Sequence, residues 1–80
     1  MAKRPVPKKL AKKLLQIRTQ LGLSQSELVR ELNYEASPLR PAQISQFETG
    51  RREPPLMLLL AYAKLSGIST DVLIDDKQSI

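Results

Sequence analysis

The stretch Leu23–Gly50, LSQSELVRELNYEASPLRPAQISQFETG, decides the fold of this chain. Ser24-Gln25-Ser26-Glu27 is a capping box, a serine hydroxyl ahead of the first turn and a glutamate three residues on. Leu28 and Leu32 follow at i, i+4, which predicts a short helix over about residues 25–33 with one apolar side. Pro41 suits the first position of a second helix, where its missing N–H costs nothing. Ile44 and Phe47 anchor that helix at i, i+3, and Gly50 can end it in a left-handed cap. Ala42, Gln43 and Gln46 fall on the opposite side. A short helix with an apolar back and an amide-bearing front has the shape and the hydrogen-bonding groups to lie in a DNA major groove.

The flanking sequence supplies the rest of a bundle. Leu10, Leu14, Ile17 and Leu21 form one stripe on a helix beginning near Lys8, and Gly22 closes it. Residues 1–7 read as a basic arm, because Pro5 and Pro7 deny it a helix interior. Tyr34 to Arg40 is a polar connection carrying Ser37-Pro38. Arg51-Arg52-Glu53-Pro54-Pro55 is a loop, and Pro55 opens a fourth helix that Gly67 ends. Leu56, Leu59, Leu60 and Ala63 mark its expected inner face. Ser69 caps a short fifth helix with Asp71 in its first turn and Val72, Leu73 and Ile74 to bury. The expectation is an all-α fold: one compact domain of about five short helices over residues 8–75, with a frayed tail at 76–80 and no strand or repeat.

Composition narrows the chemistry. The 80 residues make one small domain, near the lower limit for folding unaided. With no Cys there is no disulfide and no thiolate metal site; with no His, the commonest metal ligand and the usual general base are missing. The carboxylates are scattered and no glycine-rich phosphate loop is present, so neither catalysis nor a cofactor is expected. Aromatic residues are too few for a base-stacking platform. The net charge of +5 and a pI of about 9.9 suit an anionic partner. Lys3, Arg4, Lys8, Lys9, Lys12 and Lys13 crowd the N-terminus, and Arg40, Arg51 and Arg52 flank the third helix. The longest apolar run, Leu56 to Ala63, falls far short of the roughly 20 residues that span a bilayer, and no secretory signal is legible. A cytoplasmic protein without membrane attachment is expected.

At Ile17-Arg18-Thr19-Gln20-Leu21-Gly22-Leu23-Ser24-Gln25 the chain resembles the phage-repressor and Cro type helix-turn-helix domains, in the end of helix one and start of helix two. Leu28, Leu32, Ile44, Phe47, Glu48 and Gly50 continue the pattern, and Pro54, Leu59, Ala63, Gly67 and Ser69 carry it on, so the likeness covers roughly Leu10 to Leu73. The resemblance implies a lambda-repressor-like bundle of five helices that binds duplex DNA, usually as a twofold dimer. It implies backbone contacts from Ser24 and Gln25 at the start of helix two and from Thr49 and Arg51 after helix three. It implies that Pro41, Ala42, Gln43 and Gln46 face base edges, and that Arg18 and Glu48 lock helix one to helix three. Two features depart from the family. The connection from Leu32 to Ile44 is about five residues longer than the usual tight turn, and Val29 replaces the usual Ala at the crossing of helices two and three. Pro41 also stands where many members carry a side chain that reads a base.

Each candidate has a plainer reading. Gln43 and Gln46 either pair with an adenine edge, which amides suit best, or are two solvated glutamines. Arg40, Arg51 and Arg52 are phosphate contacts or ordinary surface charge. The lysine-rich arm follows the DNA backbone, enters a minor groove, or only solubilises. Leu56 through Leu60 are consecutive, so part of the fourth helix must face away from its inner stripe. Leu58 and Leu65, with Met57 and Ala61 beside them, are the candidate dimer surface; otherwise the arm or the tail covers them. The leading function is a sequence-specific, duplex-DNA-binding transcriptional regulator, a homodimer on a palindromic operator with no small-molecule ligand. The alternative is a protein-interaction module, antitoxin-like or an accessory subunit, using the same helices.

Overall fold

A computed structural model describes residues 7–80; of the basic arm, all but Pro7 lies outside the described residues. Five helices follow in order: α1 (Leu10–Leu21), α2 (Gln25–Leu32), α3 (Pro41–Glu48), α4 (Leu56–Ser66) and α5 (Thr70–Ile74). No strand occurs among the described residues. The chain is all-α, with α2 and α3 forming the helix-turn-helix across a lengthened connection.

The boundaries follow local chemistry. Ser24 Oγ accepts from Glu27 N at 3.1 Å while Glu27 Oε1 accepts from Ser24 N at 2.8 Å, so both halves of the capping box are made. Ser69 Oγ likewise accepts from Val72 N at the start of α5. Gly22 and Gly50 sit at φ +70° and +77°, left-handed conformations that a Cβ would strain. Past each glycine the chain folds back in a Schellman arrangement: Leu23 N donates to Arg18 O, and Arg51 N donates to Gln46 O.

Leu14, Ile17, Leu28, Ile44, Leu58, Tyr62 and Leu73 are fully buried at the centre. α1 packs on α3, α4 and α5, while α2 packs on α3 and α4. The long connection does not pull α2 from α3, because Tyr34 and Leu39 tuck partly against the core and Val29 is accommodated at the crossing.

Four expectations are corrected. On α4 the inner face is Leu58, Leu59 and Tyr62, whereas Leu56 is 74% exposed and Leu60 lies at the surface. The first six residues of α4, Leu56–Ala61, include no polar residue to fix the rotation of the helix, so periodicity could not choose the face. Leu58 therefore packs inside the monomer and is not a surface residue. On α1, Leu21 is exposed at the last turn and Lys13 is buried in the stripe. Its ammonium donates to the Val72 and Asp75 carbonyls at 2.6 and 2.8 Å, which caps the C-terminal end of α5 with a positive charge. Finally, the segment from Asp76 does not fray from the bundle. The Asp76 carboxylate accepts from Lys8 N and Lys9 N at 2.9 and 3.0 Å, and Ile80 packs partly against the core. Lys9, at the N-cap of α1, makes no side-chain capping bond, and the tail's carboxylate instead holds the two N–H groups that lead into the helix.

Candidate nucleic-acid interface

The eight-residue α3 has two unlike sides. Ile44 and Phe47 are buried against α1 and α2. Ala42 is exposed, and Gln43 and Gln46 are half-buried on the outward side, one turn apart. Arg40 is exposed before α3, and Arg51 and Arg52 are exposed after it. Cationic side chains thus stand at both ends of an amide-bearing stripe.

α3 is held in place by a partly buried network centred on Glu48. Arg18 on α1 meets the Glu48 carboxylate through both Nε, at 2.7 Å, and Nη2, at 3.1 Å, a bidentate pairing. Arg18 Nη1 also donates to Leu23 O, and Gln25 Nε2 on α2 donates to Glu48 Oε1 at 3.2 Å. One carboxylate thereby fixes the start of α2 and the end of α3 relative to α1. The bond to Glu48 holds the Arg18 guanidinium more firmly protonated than usual. Tyr62 lies beneath this network; burial, with the Glu48 charge adding to it, pushes its phenol far above the ordinary range. Its hydroxyl is buried without a hydrogen-bond partner among the described residues.

The network gathers the expected backbone contacts into one region. The Gln25–Glu48 bond sets the N-terminus of α2 beside the C-terminus of α3, so Ser24 and Gln25 lie near Thr49 and Arg51. The N–H groups of Gln25 and Ser26 open α2 and have no intrahelical acceptor, which makes this terminus receptive to an anion. Ser24 Oγ accepts from Glu27 N, and its own proton remains available to donate. Thr49 is exposed but turned inward: its hydroxyl donates to Gln46 O and its N–H to Ser45 O. The backbone N–H groups of Arg51 and Arg52 also donate to Gln46 O, so beyond α3 the side chains of these arginines carry the capacity for anion binding.

Three features were missed in the sequence: the Lys13 cap, the Asp76 tether and the buried Tyr62 hydroxyl. Lys13 had a signal, since it sits at i+3 from Leu10 and i−4 from Ile17, on the apolar stripe itself. The Asp76 tether joins residues 67 and 68 positions apart and has no local signature. No cluster of His, Cys, Asp or Glu among the described residues could hold a metal ion, and no described helix is long and apolar enough to cross a membrane.

A comparison with protein families finds one model, described as helix-turn-helix, that matches residues 14–73. Comparison with curated proteins and with solved structures gives no match. The matched residues include all five helices in whole or part, the Arg18–Glu48 lock and the outward stripe of α3. The chain belongs to the helix-turn-helix family of DNA-binding regulators, of the phage-repressor and Cro type.

Proposed function

We propose that this protein is a sequence-specific transcriptional regulator that binds duplex DNA in the cytoplasm as a homodimer on a palindromic operator. The observation that carries the reading is the outward stripe of α3, Ala42, Gln43 and Gln46, backed by buried Ile44 and Phe47 and flanked by Arg40, Arg51 and Arg52. In this reading α3 enters the major groove and presents the stripe to base edges. The N-terminus of α2, with Ser24 and Gln25, meets one phosphate. Arg51 and Arg52 meet the backbone beyond α3, and Arg40 meets it before α3. Thr49 joins them only if its hydroxyl leaves Gln46 O.

For the dimer, the exposed side of α4 is the surface to use. Leu56 and Met57 are 74% and 58% exposed, and Leu60 lies beside them. A groove next to this face is lined by Met57, Leu60, Ala61 and Leu65, with Glu31, Glu35 and Lys64 among its polar residues. Opposite charges within one lining suit a twofold contact, in which Lys64 of one copy can meet Glu31 or Glu35 of the other.

Selection of bound sequences from a random duplex pool, followed by salt titration, tests the reading. A palindromic consensus is expected, with log affinity falling linearly against log salt. Arg51→Ala should weaken all sequences alike and flatten the slope by about one unit. Gln46→Ala should relax preference at one or two base pairs, at about 1–3 kcal/mol of discrimination each. Salt-insensitive binding, or none at low salt, would overturn the proposal and point to a protein partner for these helices.

A further inference from the structure

The two glutamines of the α3 stripe are not equivalent. Gln43 is the third residue of α3, and its side chain turns back to the helix start, where Oε1 accepts from Arg40 N at 2.8 Å. Arginine has no side-chain acceptor, so Arg40 cannot cap α3 reciprocally. The Gln43 carbonyl is the only side-chain oxygen among the described residues that satisfies an N–H at the start of α3. Pro41 contributes no N–H at the first helical position, so this bond carries much of the capping of that end. The Gln43 Nε2 group, in contrast, has no partner among the described residues. Gln46 has no such constraint. Its Oε1 is buried without a partner among the described residues, so swinging the side chain out toward a base breaks no hydrogen bond of that oxygen.

Bidentate recognition of adenine needs the oxygen and nitrogen of one amide side by side, accepting from N6 and donating to N7. A carbonyl committed to Arg40 N does not present that edge. What remains is an NH2 group with two hydrogens. Guanine alone offers two adjacent acceptors in the major groove, N7 and O6, one for each hydrogen; adenine N7 stands beside a donor, thymine O4 is a single acceptor beside a methyl group, and cytosine presents a donor that an NH2 group cannot meet. We infer that Gln43 is a donor-only reader, held so by its role as the cap of α3, and that it selects guanine where the resemblance of amide to adenine edge would assign adenine. The inference rests on the reading above that α3 lies in the major groove.

The test begins with parallel selections from a random duplex pool, using the parent protein and Gln43→Ala. The base pair whose preference disappears in the variant is the one Gln43 reads, and it should be G·C. Replacing that guanine by 7-deazaguanine, which lacks the N7 acceptor, should weaken the parent about tenfold and leave Gln43→Ala unaffected. Gln43→Glu separates the two roles. Its carboxylate still accepts from Arg40 N, so thermal unfolding should occur no lower than in the parent. It donates nothing, so preference for guanine should be lost by about tenfold or more, in favour of cytosine on the same strand. Adenine at the Gln43 position, or full retention of guanine by Gln43→Glu, would overturn this inference while leaving DNA binding intact. Absence of any duplex binding would overturn the function itself, and this assignment with it.

Discussion

At Glu48 a carboxylate whose side chain is 5% exposed accepts three hydrogen bonds, two from Arg18 and one from Gln25. Removing Arg18 leaves that charge buried with one amide for company. Arg18 itself is 21% exposed, so water screens part of the pair. Arg18→Ala should therefore cost about 2–3 kcal/mol of unfolding free energy, at or below the low end for a buried pair. Arg18→Lys should recover only part of this, since an ammonium cannot bridge both oxygens and reach Leu23 O as well. Denaturant melts of both variants check it, and an Ala variant as stable as the parent would mean the lock is energetically idle. Tyr62 gives the opposite sign. Its ring is fully buried but its hydroxyl is unsatisfied among the described residues, so Tyr62→Phe should be neutral or stabilising, by up to about 1 kcal/mol. A clear loss of stability in that variant would reveal a bond to the hydroxyl. The Arg18–Glu48 pair was legible because both residues stand at family positions. The Tyr62 hydroxyl was not, since a tyrosine on an apolar helix announces its ring and not the fate of its oxygen.

Element by element, the termini of the helices carried the strongest local signals. Ser24 with Glu27, Ser69, Pro41, Gly22, Gly50 and Gly67 each act within a few residues of themselves, and all five helices lie close to where those residues predict them. What failed was orientation on α4 and the reach of the tail, because both are decided by partners distant in sequence. The tail makes a pH prediction. The backbone N–H groups of Lys8 and Lys9 hold the Asp76 carboxyl below its ordinary value, and the N–H of Lys77 and Ser24 do the same for Asp75 and Glu27. A carboxylate with a depressed folded pKa contributes stability above the unfolded value, and that stability is lost as pH falls through the folded one. The parent should therefore lose stability in acid, beginning near the ordinary glutamate value of 4.5 for Glu27 and the ordinary aspartate value of 3.8 for Asp75 and Asp76, and continuing below them. Asp76→Asn should be less stable than the parent at neutral pH and should converge on it in acid. Melts across that pH range read this directly, and parallel curves for the two proteins would show that the tether carries no linkage.

For the molecule as a whole, specificity and symmetry meet at α4. One helix-turn-helix reads only a short site, whereas a twofold pair reads half-sites about one DNA turn apart, roughly 34–36 Å between centres. That geometry requires a self-complementary surface on each copy, usually about 800 Å² per partner. Leu56, Met57 and Leu60 are the large apolar side chains of α4 that the monomer leaves at its surface, and Leu65 and Ala61 line the adjoining groove. Leu58 is their fully buried neighbour, so substitutions at 57 and 58 separate association from folding. Met57→Glu should shift the protein toward monomer with its helical content unchanged. Its affinity for a palindrome should fall much more than its affinity for an isolated half-site. Leu58→Glu should instead unfold the domain, because it places a carboxylate in the core with no partner. Sedimentation of the parent and Met57→Glu, free and on DNA, decides between the possibilities. A parent that stays monomeric in both states would remove the dimer, and α4 would then have to dock against a different protein. A parent dimer that survives Met57→Glu would move the twofold contact to another face, with Ile74 on α5, 43% exposed, the next apolar side chain to replace.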